Sequence, residues 1–249
     1  MFLQEIEITG ESTVRDIVKR NYRTADVFHR YGIEYCCGAK WPLSTVCMMK
    51  GIEEKNLLEE LRQMSRNIQL SPALPFHQWS IDFLADYIVN VHHSFLKLNL
   101  PPLESLLEHF TNEHEKKFPY FLTIQAQFRQ LQKDAMPHLK HEEEVIFPYI
   151  KQVAHAYQDK DSLAGLLVKT LRKPVARLLD QEHELFSVTL LKFRELTDNY
   201  TPPEKACSSH QVVLSKLKEL DADLAQHIFL ETGILFPRII AMEKELLSA

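Results

Sequence analysis

Apolar residues recur every three or four positions over long stretches from Ser80 onward, a spacing typical of amphipathic helices. The prolines at 101–102, 119 and 202–203 interrupt this pattern, and Pro137 and Pro174 are expected to kink it. We therefore predict helices near residues 80–98, 102–117, 120–156, 162–198 and 204–246. Long helices with short connections favour an antiparallel four-helix bundle.

The first part of the chain predicts four short helices instead. Residues 13–16 form a capping-box pattern, and Gly32 and Gly51 are placed to end the second and third helices. A prolyl stretch at 67–79 then predicts a linker. The sequence therefore predicts an all-α protein with a small helical domain at 1–66, a linker at 67–79 and the bundle at 80–249.

Composition narrows the function classes. Gly is only 6 of 249 residues, and the nucleotide-binding glycine motifs are missing from the sequence. The net charge of −5 argues against nucleic acid as a partner. We expect no membrane segment and a cytoplasmic location, because the sequence has neither a long apolar run nor a signal pattern. The 4 cysteines do not form a disulfide framework or an ordinary zinc motif.

Two segments of the bundle repeat one pattern of chemistry-bearing residues. Residues 138–148 read HLKHEEEVIFP, and residues 227–237 read HIFLETGILFP. Each copy places a histidine four positions before a glutamate, and such positions share one helical face. The residues that match like for like are His138, Glu142, His227 and Glu231. The unmatched residues, which we interpret as outer-layer or solvated, are His141, Glu143 and Glu144.

Three further histidines continue apolar rows on the other helices: His92, His114 and His183. The row that starts at Ile81 favours His92 over its neighbour His93, since adjacent helical positions point about 100° apart. A single histidine of this kind is more often a core residue with a hydrogen-bond partner. Five of them beside two paired glutamates would leave several buried polar groups unsatisfied, unless a metal centre coordinates them.

A ligand count favours a dinuclear centre. Five imidazole nitrogens, four oxygens from two bridging carboxylates and an oxo or hydroxo bridge fill eleven of the twelve positions around two octahedral metals. One position stays open for a small ligand. Mixed imidazole and carboxylate ligands suit iron, with manganese as the alternative, whereas a structural zinc site is tetrahedral. The sequence therefore predicts two iron ions.

The repeat resembles the hemerythrin HHE domain. Residues 31–38, which read YGIEYCCG, together with the segment at 13–16, resemble the small domain that accompanies it in the RIC (repair of iron centres) family, although Ala39 replaces an expected glycine. RIC proteins are di-iron proteins linked to repair of iron–sulfur clusters after nitrosative or oxidative damage. The resemblance covers nearly the whole chain and implies the ligands His92, His114, His138, Glu142, His183, His227 and Glu231.

The resemblance also implies roles and partners. Iron is donated to damaged iron–sulfur proteins, or nitric oxide is bound and reduced at the open position, so enzymatic activity stays an open question. Cys36 and Cys37 then handle iron, nitric oxide or a partner thiol, unless they only pack as small apolar residues. A homodimer is implied as well. The alternative function is a carrier or sensor of dioxygen, iron or nitric oxide without catalysis, which the Cys-Cys domain disfavours.

Overall fold

Helices dominate the chain in the computed structural model, which describes residues 8–35, 40–65, 74–160, 163–171 and 175–248. Cys36 and Cys37 lie outside the described residues. Two compact units are distinguished: residues 1–72 with 197–218, and residues 73–196 with 219–249. Residues 197–218, which the sequence assigned to the bundle, therefore fall in the first unit. All side chains of the candidate site belong to the second.

Four short helices form the N-terminal part of the first unit: α1 (Val14–Arg20), α2 (Thr24–Arg30), α3 (Leu43–Lys50) and α4 (Glu54–Ser65). The predicted cap is confirmed, since the Thr13 hydroxyl accepts from the Asp16 backbone N–H at 3.2 Å. Gly32 and Gly51 have φ angles of 60° and 65° and end α2 and α3 as predicted. A buried Cys47 packs into this core.

Four long helical rods form the bundle, and three of them contain an internal π turn. The first rod is α5 (Ile81–Tyr87), π1 (Ile88–His93) and α6 (Ser94–His114). The second rod is α7 (Tyr120–His141), π2 (Glu142–Ile146) and α8 (Phe147–Gln158). The third rod is α10 (Val175–Leu196), which follows the short α9 (Ala164–Leu171). The fourth rod is α11 (Ser208–Ile228), π3 (Phe229–Leu235) and α12 (Phe236–Ser248), of which residues 219–248 lie in the second unit. The predicted all-α, antiparallel four-helix fold is confirmed.

One predicted break is wrong, because α6 runs without interruption through Pro101 and Pro102. A proline inside a helix costs about 3 kcal/mol locally. The apolar face of α6 packs against α7 and buries Leu96, Leu100, Leu103 and Leu107. This burial outweighs the local cost, since each fully buried leucine contributes about 1.5–3 kcal/mol. Pro137 likewise lies inside α7.

Each π turn coincides with a candidate ligand. After each turn, a backbone N–H donates to the carbonyl five residues earlier instead of four. These donor–acceptor pairs are Ser94 to Val89, Phe147 to Glu142 and Phe236 to Glu231. In both copies of the repeat a proline follows at once, Pro148 or Pro237, and a proline ring clashes with the carbonyl four residues before it. The repeated Phe-Pro pair therefore favours a widened turn at the same place in both copies.

In the part of the chain that the structure describes, no helix combines the length and apolar character needed to span a membrane.

Candidate metal centre

Two groups of buried side chains share the same pair of glutamates at the centre of the bundle. The first group is His93, Glu142, His227 and Glu231, and the second is His138, Glu142, His183 and Glu231. Within each group, one nitrogen or oxygen atom of every residue lies within 4.8 Å of the others. All four rods contribute, so the site forms only when the bundle does.

The imidazole nitrogens are spaced like neighbouring ligands of one ion. His93 Nε2 lies 3.2 Å from His227 Nε2, and His183 Nε2 lies 3.2 Å from His138 Nε2. Two adjacent ligands of an octahedral metal, with metal–nitrogen bonds of about 2.1 Å, are separated by about 3.0 Å. Each histidine pair thus matches one edge of a coordination polyhedron.

Carboxylate oxygens face these nitrogens without hydrogen-bond geometry. Glu142 Oε2 lies 3.3 Å from His138 Nε2 and 3.4 Å from His93 Nε2, yet both oxygens of Glu142 lack a hydrogen-bond partner. Glu231 Oε2 also has none, although His183 Nε2 is 3.2 Å away. Both glutamates are completely buried. Unsatisfied buried oxygens demand an explanation, and a cation between them and the nitrogens supplies one.

The two glutamates have opposite pKa shifts. Burial and the charge of Glu231 raise the pKa of Glu142 well above its usual range. Burial also acts to raise the pKa of Glu231, but His227, His183 and His93 outweigh it and lower the pKa well below the usual range. Without metal, the surroundings therefore favour the protonated form of Glu142 and the ionised form of Glu231. Two dications would remove this conflict by allowing both to ionise.

The histidines also differ in their pKa. Burial acts to lower the pKa of His93, but the nearby carboxylates of Glu142 and Glu231 outweigh it and raise the pKa to about 9. Burial dominates at His138, whose pKa falls to about 4 despite the opposing effect of Glu182. Burial lowers the pKa of His227 as well. One imidazole in the metal-free centre is thus cationic at neutral pH, while His138 is neutral.

Carboxylates from an outer layer hold two of the imidazoles in place. His93 Nδ1 lies 2.8 Å from Glu143 Oε1, and Lys97 Nζ approaches the same carboxylate at 2.7 Å. His138 Nδ1 lies 2.6 Å from Glu182 Oε2, which comes from a different rod. An N–H donated from Nδ1 leaves Nε2 as the lone-pair donor toward a metal. The sequence predicts Glu143 as an outer residue, whereas Glu182 lies in neither copy of the repeat and is not predicted.

Five of the seven residues predicted as ligands meet in the cluster, namely His138, Glu142, His183, His227 and Glu231. His92 does not join either group, and its neighbour His93 does. The reason is the π turn π1, which contains one residue more than an α-helical turn. The residue that continues the buried row after Ile88 is therefore His93, five positions later, instead of His92, four positions later. His92 is nevertheless buried, with Nδ1 2.9 Å from Asp223 Oδ1.

His114 lies far from the cluster, at the last position of α6. At 1.5 Å per residue, the 21 residues of α6 span about 31 Å. Its Nδ1 donates to the carbonyl of Phe110 at 3.1 Å, and its ring stacks on that of Phe110 with centroids 4.4 Å apart. The predicted break at the two prolines would have allowed His114 to approach the centre, whereas the continuous helix keeps it away.

Comparison with known proteins agrees with this arrangement. Residues 84–239, more than half of the chain, match the hemerythrin HHE cation binding domain, and residues 10–65 match a domain of unknown function called ScdA_N. The chain is 26% identical to the iron-sulfur cluster repair protein ScdA of Staphylococcus epidermidis, over 93% of this chain and 99% of that protein. It is 27% identical to the iron-sulfur cluster repair protein YtfE of Escherichia coli O8, over 89% and 93%. A probable iron-sulfur cluster repair protein of Haemophilus influenzae is 26% identical, over 86% and 90%.

The matched segment of 84–239 contains both copies of the repeat and every residue of the two groups. The bundle, the buried cluster and the match over most of the chain lead to one conclusion: this chain belongs to the hemerythrin HHE cation-binding family.

Proposed function

We propose that the cluster holds two iron ions and that the protein repairs damaged iron–sulfur clusters. One ion would be held by His93 and His227, the other by His138 and His183, with Glu142 and Glu231 bridging both. The observation that carries this proposal is the set of three buried carboxylate oxygens, both of Glu142 and Oε2 of Glu231, that have no hydrogen-bond partner although imidazole nitrogens lie 3.2, 3.3 and 3.4 Å from the two Oε2 atoms. Imidazole and carboxylate ligands in this number suit iron.

The number of filled coordination positions changes, because the cluster contains four histidines instead of the five predicted from the sequence. Four imidazole nitrogens, four carboxylate oxygens and one bridging oxo or hydroxo group fill ten of twelve octahedral positions. Each metal would thus keep one open position, whereas the seven ligands predicted from the sequence leave one in total. Bound iron would supply a centre that takes up a small diatomic ligand such as nitric oxide or dioxygen.

The residues of this chain would control how firmly iron is held. Glu143 and Glu182 keep the protons of His93 and His138 on Nδ1, so that both Nε2 atoms stay available to metal. The names of the similar proteins support cluster repair as the purpose of this centre. We propose that the iron itself is the cargo, given to damaged iron–sulfur proteins. Cys36 and Cys37 would receive it as soft thiolate ligands, and a homodimer would be the working form.

Iron transfer tests this proposal directly. The full chain, loaded anaerobically with ⁵⁷Fe(II), is mixed with an iron–sulfur enzyme whose cluster has been damaged by nitric oxide. We expect recovery of the enzyme's activity together with transfer of ⁵⁷Fe into its rebuilt cluster. The matched controls are the Glu142→Ala/Glu231→Ala chain, which should carry no iron, and an equal amount of free Fe(II). Cys36→Ser/Cys37→Ser should keep the iron but deliver it more slowly.

Three outcomes would count against the proposal. Wild-type protein that binds no iron would remove the metal centre. Recovery no faster than with free Fe(II) would remove the donor role. Reversible dioxygen binding without any recovery of the damaged enzyme would favour the carrier or sensor function instead.

A further inference from the structure

Two buried polar atoms on α11 lack partners one helical turn apart. His227 directs Nε2 to the centre, 2.9 Å from Glu231 Oε1, but its Nδ1 has no hydrogen-bond partner. Asp223, four residues earlier, has one carboxylate oxygen, Oδ2, that is also buried and unpartnered. Positions i and i+4 of a helix have Cβ atoms about 5–6 Å apart. The orphaned donor site and the orphaned acceptor are therefore neighbours.

Metal binding at Nε2 of His227 would require Nδ1 to carry a proton, and that buried N–H would then need a hydrogen-bond acceptor. A neutral imidazole that offers the lone pair of Nε2 to a cation carries its proton on Nδ1. A buried N–H without an acceptor is destabilising, so the ligand would be weakened. Asp223 Oδ2 is a free buried acceptor on the same helical face.

His92 holds Asp223 in the orientation that this role requires. His92 is 1% exposed, and its Nδ1 lies 2.9 Å from Asp223 Oδ1, the other oxygen of the carboxylate. Its ring is nearly parallel to that of His227, with an interplanar angle of 6° and centroids 6.0 Å apart. Tyr87 packs edge-on against the same imidazole of His92, with ring centroids 5.6 Å apart. The imidazole of His92 is thus enclosed, and it occupies only one oxygen of Asp223.

We propose that His92 and Asp223 are positioning residues for His227. In the metal-bound protein, Asp223 accepts one hydrogen bond from His92 and one from His227, so that a single buried carboxylate joins the two imidazoles. This inference rests on the proposed metal centre. His92, which the sequence predicts as a metal ligand, is thereby assigned to the support of the ligand His227.

The helix before the first copy of the repeat offers a natural control for the role of Asp223. Asp134 precedes His138 by the same four positions, but both of its oxygens accept from Gln130, at 2.9 and 2.8 Å. His138 takes its carboxylate from Glu182 instead. Removal of Asp134 should therefore leave the centre intact, whereas removal of Asp223 should not.

Anaerobic titration of the full chain with Fe(II) against a competing chelator measures the effect. The outer-layer partners of metal-bound histidines change metal affinity by about 10–100-fold. We expect Asp223→Ala to weaken one of the two bound ions within this range and to leave the other unchanged. Asp223→Asn, which keeps the shape, should weaken the same ion, because its amide offers one acceptor atom for two donors. Asp134→Ala should match wild type.

His92 provides a rescue test. His92→Leu should weaken the same ion as Asp223→Ala, and the double variant should be no weaker than Asp223→Ala alone, because both act through one carboxylate. His92→Asn should recover most of the affinity, since its amide N–H can replace Nδ1 as the donor. In Co(II)-loaded protein, Asp223→Ala should also hasten solvent exchange of one paramagnetically shifted imidazole N–H.

The outcomes separate the two proposals. Wild type that binds two ions, with Asp223 variants that bind them equally well, would overturn this inference alone. A lower melting temperature of the metal-free Asp223→Ala chain with unchanged Fe(II) affinity would show a purely structural role and also overturn it. Equal weakening of both ions would contradict an action through His227. Wild type that binds no metal would overturn the proposed function and this inference together.

Discussion

The two copies of the His-x-x-x-Glu repeat place the same residue types toward the centre of the bundle. They differ in the residues that surround these histidines on the side away from the centre. Both place a buried histidine one turn before a buried glutamate, and both follow the glutamate with a π turn and a Phe-Pro pair. Behind the first copy, His138 contacts Glu182, whose side chain is 49% exposed. Behind the second, Asp223 is held by the buried His92.

This difference shows that the repeat and its surroundings have separate tasks. The repeat sets the ligand geometry, because its spacing determines which side chains share a helical face. The surroundings differ between the copies, because the carboxylate behind His138 comes from the third rod, whereas Asp223 lies on the same rod as His227 and contacts His92 of the first. The imidazoles of the metal-free centre differ as well: the repeat's own glutamates Glu142 and Glu231 raise the pKa of His93 to about 9, whereas burial lowers the pKa of His138 to about 4.

The largest expected effect would test whether the copies are equivalent at the centre. Glu142 and Glu231 each belong to both groups, so Glu142→Ala and Glu231→Ala should each weaken both ions. Because outer-layer partners already change affinity by about 10–100-fold, loss of a bridging ligand should exceed 100-fold or so. Metal analysis after anaerobic loading and gel filtration measures this. A variant that loses only one ion would show that the copies do not share their carboxylates.

The next effect concerns the pH dependence of Fe(II) affinity, which should differ between the two metal positions. Protonated His93 must lose its proton to bind metal, so Fe(II) affinity at its position should gain about tenfold per pH unit up to about pH 9, in addition to the proton that Glu142 releases when either ion binds. His138 is already neutral above about pH 4 and adds no such dependence there. Chelator competition at pH 7, 8 and 9 provides the measurement. His93→Ala should flatten the slope between pH 7 and 9, and His138→Ala should leave it steep; equal slopes would contradict the assigned difference.

A smaller effect concerns the stability of the metal-free protein. Glu142 has a raised pKa, so its contribution to stability is present below the unfolded pKa of about 4.3 and is lost as the pH rises. Glu231 has a lowered pKa, so its contribution is present above about pH 4.3 and is lost in acid. At pH 7 we therefore expect Glu142→Gln to raise the free energy of unfolding and Glu231→Gln to lower it, each by about 1–2 kcal/mol. Thermal melts in chelator at pH 4.5 and 7 measure both, and the gain from Glu142→Gln should shrink at the lower pH. The same sign for both variants would contradict the opposite shifts.

The smallest effect concerns the residues between the ligands and the Phe-Pro pairs. Gly233 in the second copy stands where the first copy has Glu144. A Cβ at Gly233 would lie 3.1 Å from the ring of Phe229, which is 58% exposed and can turn aside. Because alanine is favoured over glycine in helices by up to about 1 kcal/mol, Gly233→Ala should change stability by less than that and leave iron binding unaltered. Loss of an ion would show that the glycine shapes the centre.

The sequence alone was sufficient for the fold and for the residues that the repeat carries. Helical periodicity and scarce glycine predict an all-α bundle, because burial of one apolar stripe per helix is a local property of spacing. The like-for-like matches predict His138, Glu142, His227 and Glu231 as neighbours, and the structure brings these four together. The apolar row of the third rod adds His183, which also lies in the cluster.

Only the tertiary structure could decide between His92 and His93 and exclude His114. A π turn adds one residue to a buried row, and no pattern of apolar positions in the first rod reveals it, since both histidines are buried. Continuity through Pro101 and Pro102 depends on burial against α7, which outweighs the local penalty of the prolines. Glu182 contacts His138 from the third rod, and Asp223 on the fourth rod contacts His92 on the first. Such contacts arise from packing between rods, and spacing along one rod does not encode them.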